Sequence, residues 1–155
     1  MTFLSRKVDY ALLILSYLHQ HSAGASAHKI AAHYGLGRPF VANILKVLCQ
    51  QGFVESHRGV NGGYVLRRPA DEIRLAEVMD ALDESFRLTA CNSHGGGDSP
   101  CGVEALCPVR HALAEVHDRI RELLRGVTLA QLFTRPEATT HLGLTLNGLP
   151  QGLVG

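Results

Sequence analysis

The sequence predicts a mainly α chain with a small β-hairpin, and three observations carry the prediction. Apolar residues recur at spacings of three and four in several stretches between Leu4 and Val127, which is the period of an amphipathic helix. Two short runs, Phe53 to His57 and Tyr64 to Arg68, are joined by Arg58-Gly59-Val60-Asn61-Gly62-Gly63, the composition of a hairpin connection. A length of 155 residues, 46% hydrophobic and 19% charged, fits one compact unit with room for a dimerisation appendage and excludes a disordered chain.

The first helix follows from Leu4, Val8, Ala11, Leu12, Leu15 and Leu18, with Ser5 placed as its N-cap. Ser26 caps a second, short helix bearing Ile30, Ala31 and Tyr34, which Gly35 stops before a turn at Leu36-Gly37. A third begins near Pro39. It carries Val41, Ile44, Leu45 and Leu48 on one face, turns Arg38, Asn43, Lys46 and Gln50 elsewhere, and ends at Gly52. After the hairpin, Pro69 closes the module.

Leu75 to Leu82 reads as a short helix with Leu75, Val78, Met79 and Leu82 on one side and Glu77, Asp80 and Asp83 on the other. It is expected to pack beneath the glycine-rich loop that follows. From Val109 the apolar residues Val109, Leu113, Val116, Ile120, Leu123 and Val127 alternate spacings of four and three, a heptad seam. At about two and a half heptads the seam is too short for a lone coiled coil but suits a helix that crosses its symmetry mate, so a homodimer is expected. Gly126-Val127-Thr128-Leu129 gives a stop and a new N-cap, with a last turn over Leu129 to Phe133. The stretch from Thr134, rich in Gly, Thr and Pro, lacks periodicity and is expected to be a mobile tail.

Three helices followed by a hairpin is the order of a winged helix-turn-helix, whose third helix enters the major groove of double-stranded DNA. Arg38, Pro39 and Phe40 would lie at the N-terminal end of that helix, with Asn43 and Lys46 one and two turns on. A guanidinium there suits guanine or phosphate. In the wing, His57, Arg58 and Asn61 supply donors, and the glycines, Gly62 among them, allow close backbone approach to a sugar-phosphate wall. Charge supports this placement. The net +1 divides into eight Lys/Arg against two Asp/Glu from Met1 to Arg68 and seven against twelve from Pro69 onward, a basic half joined to an acidic half. The organisation expected is a DNA-binding module over 1–68, a ligand loop and dimerisation helix over 69–133, and a tail over 134–155.

Cys91, Cys101 and Cys107 have the spacing Cys-x9-Cys-x5-Cys around Gly95-Gly96-Gly97. A disulfide would leave one of the three unpaired, and no apolar export segment separates Met1 from the first charges, so reduced thiols in the cytoplasm are expected. Three thiolates are one short of the set that iron-sulfur clusters usually take, and His111 and Asp9 are the candidates for the fourth donor. His94 is an outlying one. A structural zinc site would also suit three cysteines and a histidine, and a cluster carrier or electron-transfer protein is a reading from another class. Cys49 is read as a small buried hydrophobe. No apolar run reaches the roughly 18 residues of a membrane span, and no nucleophile-base pairing or phosphate-cradling motif points to an enzyme.

From Leu4 to about Phe133 the chain resembles the dimeric winged-helix iron-sulfur transcriptional regulators of the IscR, NsrR and SUF-operon type. The resemblance is carried by His57-Arg58-Gly59-Val60-Asn61-Gly62-Gly63-Tyr64, Leu75-Ala76-Glu77-Val78, Cys107-Pro108-Val109-Arg110 and Val127-Thr128-Leu129-Ala130. It implies a DNA-binding repressor or regulator whose affinity for promoter DNA follows the state of a 2Fe-2S or 4Fe-4S cluster on Cys91, Cys101 and Cys107. Such a protein would sense cluster status, redox or nitric oxide and control genes such as cluster-assembly operons. Two departures bear on the fourth ligand. The IscR-like histidine would stand where this chain has Arg110, with His111 one position on, and an arginine cannot serve. The NsrR-like aspartate, which reaches the cluster of the other subunit, matches Asp9 in Val8-Asp9-Tyr10-Ala11. The resemblance therefore favours Asp9 acting in trans. The run between the first two cysteines is also longer than in the better-known members.

Overall fold

The computed structural model describes residues 4–59, 62–82, 86–89, 102 and 106–134. Cys91, His94, Cys101, Asn61, the glycine-rich stretch and the tail beyond Thr134 lie outside the described residues, as does the loop expected above the Leu75 helix.

The elements run α1 (Arg6–Gln20), α2 (Ala27–Tyr34), α3 (Arg38–Gln50), β1 (Val54–His57), β2 (Gly63–Leu66), α4 (Leu75–Ala81), α5 (Arg110–Gly126) and α6 (Leu129–Phe133). Local chemistry sets each boundary. Ser5 Oγ accepts the Val8 amide and Ser26 Oγ the Lys29 amide, each at 3.3 Å, so both serines relieve donors that the first turn leaves open. Gly35 takes a left-handed conformation after α2, and the Leu36 amide closes back on the Ala31 carbonyl at 2.9 Å. Pro39 stands in the first turn of α3, where its missing amide hydrogen costs nothing. Thr128 caps α6 by accepting the Gln131 amide, while Gln131 Oε1 accepts the Thr128 amide at 2.9 Å, a reciprocal capping box.

β1 and β2 form an antiparallel hairpin with Val54 opposite Leu66 and His57 opposite Gly63. The sheet is shorter than the sequence pattern: β2 ends at Leu66, and Arg68 lies beyond it. Its guanidinium lies 5.4 Å from the Phe53 ring centroid and donates to Glu77 Oε2 at 2.8 Å. On the outer edge of β2, Tyr64 and Ala25 exchange both backbone hydrogen bonds, at 2.8 and 3.0 Å, which fixes the wing to the start of the helix-turn-helix.

One core runs through all the helices. Val8, Ala11, Ile14, Leu15 and Leu18 of α1 meet Ile30 of α2 and Val41, Ile44, Leu45 and Leu48 of α3, and the same cluster takes in Ile73, Leu75, Val78, Met79, Leu82, Leu124 and Leu129. Backbone bonds stitch the later part on: Leu75 donates to Val127, Leu129 to Ile73 and Ala130 to Ala70, at 2.9 to 3.0 Å. Lys7 Nζ of α1 donates to the Leu82 carbonyl at the end of α4, at 2.9 Å.

The heptad seam divides. Leu113 and Ile120 are half-buried, and the inward stripe is completed by His117 and Leu124, the two buried residues of α5. Val109, Val116 and Leu123 stand 52%, 45% and 48% exposed. The cause is the period: a straight helix turns once in 3.6 residues, so the stripe facing its own chain runs 113, 117, 120, 124 while positions seven apart form a second stripe beside it.

Candidate DNA interface and metal centre

α3 presents a candidate interface because its burial is one-sided. At about 100° per residue, the four buried residues define the inner face, and Pro39, Asn43, Lys46 and Gln50 centre the opposite one, flanked at the helix start by Arg38 and Phe40. All six are exposed. Phe40 is not free of the fold, however, since its ring meets Tyr10 of α1 edge-on at 5.1 Å. That contact braces the start of α3 against α1, close to Asp9.

In the wing, His57 and Arg58 are exposed, and His57 Nε2 sits 3.0 Å from Glu55 Oε1. The carboxylate therefore offsets part of the positive charge at the hairpin. The glycines have a reason inside the chain. A Cβ on Gly62 would stand 2.6 Å from the His57 carbonyl oxygen, and one on Gly63 would stand 2.8 Å from the Ala25 carbonyl, so the turn and the Ala25 pairing already require glycine at both positions. Lys7 and Arg68 are engaged within the fold, whereas Arg38 and Lys46 on α3 and Arg58 in the wing are exposed.

Of the proposed metal ligands, Cys107, Asp9 and His111 are described. Cys107 is a free, half-buried thiol three residues before the first residue of α5, and the Arg110 amide points back to its carbonyl at 3.5 Å. His111 is exposed in the first turn of α5. Asp9 is exposed in the first turn of α1, and among the described residues its carboxylate forms no ion pair. No group of three or more His, Cys, Asp or Glu side chains suited to a metal ion occurs among the described residues, a set that lacks Cys91 and Cys101. A half-buried free thiol opening a helix and an unpaired surface carboxylate are donor chemistry that fits an iron-sulfur cluster. Cys49, half-buried on α3, is different: burial pushes its thiol pKa up and so keeps it protonated.

Sequence reasoning missed one buried polar residue here. His117 is 2% exposed, its ring stacks on Phe86 at 5.3 Å and 16°, and Nδ1 accepts the Leu88 amide at 3.3 Å. Its position four after Leu113 and three before Ile120 was the available signal.

Comparison with known proteins agrees with this architecture. Residues 4–135 match the Rrf2 family, described as an iron-dependent transcriptional regulator. Protein aau3 of Rhizobium meliloti is 33% identical over 150 residues, 96% of each chain. The HTH-type transcriptional regulator IscR of Erwinia tasmaniensis is 30% identical over 77% of this chain and 70% of its own. Among solved structures, CymR, the global cysteine regulator of B. subtilis, superposes with a TM-score of 0.63 at 24% identity, covering 86% of this chain and 97% of CymR. That likeness is one of fold.

Proposed function

Because this chain belongs to the Rrf2 family of transcriptional regulators and is not an enzyme, we propose that it is a cytoplasmic homodimer that binds promoter DNA through α3 and the wing and responds to an iron-sulfur cluster. The observation that carries the DNA reading is the outward face of α3, where Arg38, Pro39, Phe40, Asn43 and Lys46 are all exposed while the opposite face is fully committed to the core. Arg58 and His57, with Asn61 and Gly62 of the same hairpin, would meet the flanking backbone. A dimer of this type reads two half-sites about one helical turn, roughly 34 to 36 Å, apart. The exposed Val109, Val116 and Leu123 are the face proposed to cover its mate. Among the described residues no helix is long and apolar enough to cross a membrane.

Cys91, Cys101 and Cys107 would hold the cluster, with Asp9 of the second subunit completing the set and His111 the alternative. When bound, a cluster supplies redox-sensitive and ligand-labile iron. What the chain does is mechanical. Thiolate ligation would pin the stretch from Cys91 to Cys107 against α5, and a carboxylate donated by Asp9 would tie that stretch to an α1 whose start is braced on Phe40. The angle between the two recognition helices would then follow ligation. Support comes from the family description, from the resemblance carried by the cysteine motif, and from Cys107 and Asp9 being free donors.

The test is a set of single substitutions in anaerobically purified protein. Cys91→Ser, Cys101→Ser and Cys107→Ser should each be colourless, and Asp9→Ala should retain an altered or less stable chromophore whose loss no longer changes DNA affinity. His111→Ala should match wild type. Native spectra in the cysteine variants would overturn the ligand set, and a silent Asp9→Ala with an altered His111→Ala would transfer the fourth position to the histidine. A second reading is favoured by one finding, that a member of the same fold is named for cysteine regulation: here the chain would respond to thiol status without iron. A colourless wild type with intact DNA binding would select it.

A further inference from the structure

We infer that His117 is a positioning residue for the ligand loop, holding the Leu88 amide on α5 and so setting the point from which the chain departs toward Cys91. The inference rests on the reading of Cys91, Cys101 and Cys107 as ligands. α5 buries two side chains, and one of them is this imidazole. A leucine would satisfy the apolar stripe of Leu113, Ile120 and Leu124 at less cost, so the ring needs a polar reason. The Leu88 amide is that reason: it can only donate, and it meets Nδ1 at 3.3 Å, which requires a neutral ring protonated at Nε2. The parallel Phe86 ring, 5.3 Å away, fixes the imidazole plane so that Nδ1 faces the amide.

The placement along α5 matters. Cys107 enters the helix at its start, and His117 stands seven residues beyond Arg110, about 10 Å along the axis. Leu88 precedes Cys91 by three residues in the sequence. Both ends of the loop are then referred to a single rigid element, Cys107 by covalent continuity and Cys91 through Leu88 and His117. Ligands held this way meet a metal at lower ordering cost than ligands on a loop fixed at one end.

Three substitutions test this in the full-length dimer. His117→Phe keeps an aromatic stack and removes the acceptor; His117→Asn places an amide oxygen near the Nδ1 position; Leu88→Pro removes the donor at a site whose side chain is 37% exposed. The readouts are hydrogen exchange of the 86–89 amides in the iron-free protein and the rate at which visible absorbance decays under chelator in the anaerobic protein. His117→Phe should exchange at Leu88 and lose absorbance roughly fivefold to tenfold faster, whereas His117→Asn should stay within about twofold of wild type. Leu88→Pro should reproduce the faster decay, and it decides the matter if His117→Phe does not fold. Unchanged exchange in His117→Phe, or unchanged decay in Leu88→Pro, overturns the inference. A colourless wild type overturns the cluster reading instead, and the exchange measurement still decides whether His117 anchors Leu88.

Discussion

α3 and α5 are both amphipathic, but only α3 finds its whole apolar partner inside one chain. Val41, Ile44, Leu45 and Leu48 are all buried, and what remains outside is polar apart from Phe40 and Pro39 at the helix start. On α5 and its N-cap, three large apolar side chains at seven-residue spacing stay about half exposed while a histidine occupies the core stripe. A helix finished within its own chain can devote its other face to a ligand such as DNA, whereas the second apolar stripe beside α5 is the face proposed to cover another copy. Exposed stripes of this regularity are not needed for the monomer fold.

The largest effect that would break the comparison is in the core of α3. Leu45→Ala should destabilise the chain by about 2–5 kcal/mol, measured by urea denaturation, and the loss should not depend on protein concentration. Val116→Glu and Leu123→Glu should do the reverse: the fold measured by circular dichroism persists, and sedimentation shifts from dimer to monomer at micromolar concentration. If either glutamate variant remained dimeric, the Val109, Val116 and Leu123 stripe would not be the interface.

Smaller effects sharpen the outward face of α3. Arg38→Ala and Arg58→Ala should each weaken promoter binding and lower the salt slope by roughly one unit, with sequence preference relaxed only in Arg38→Ala. Arg68→Ala should leave the salt slope unchanged, because its guanidinium is engaged by Glu77 and the Phe53 ring. The smallest expectation concerns Cys49. Its raised thiol pKa follows from burial, so it should react with iodoacetamide more slowly at pH 8 than a free thiol does, and Cys49→Ser should leave the chromophore intact.

The same contrast explains what was legible in the sequence. All four core residues of α3 and the caps Ser5, Ser26 and Thr128 could be read directly, because capping and one-sided burial are local. The face of α5 could not, for two reasons. Apolar periodicity does not register a histidine as a core residue, and a period of 3.5 cannot be told from 3.6 over so short a run. β2 ended at Leu66, short of the pattern through Arg68, whose guanidinium engages Glu77 in a contact between elements that a local pattern does not register. Asp9 and Cys107 were visible as donors, but the site proposed for them, assembled from two subunits, would be a property of no single chain's periodicity.

If ligation at Cys91, Cys101 and Cys107 governs DNA binding, retardation of one promoter fragment will report it. The anaerobically purified dimer and the same dimer stripped of iron by chelator should differ in affinity by about tenfold or more, and the difference should vanish in Cys107→Ser. Equal affinities before and after stripping, in protein shown by iron and sulfide analysis to have carried a cluster, would contradict it.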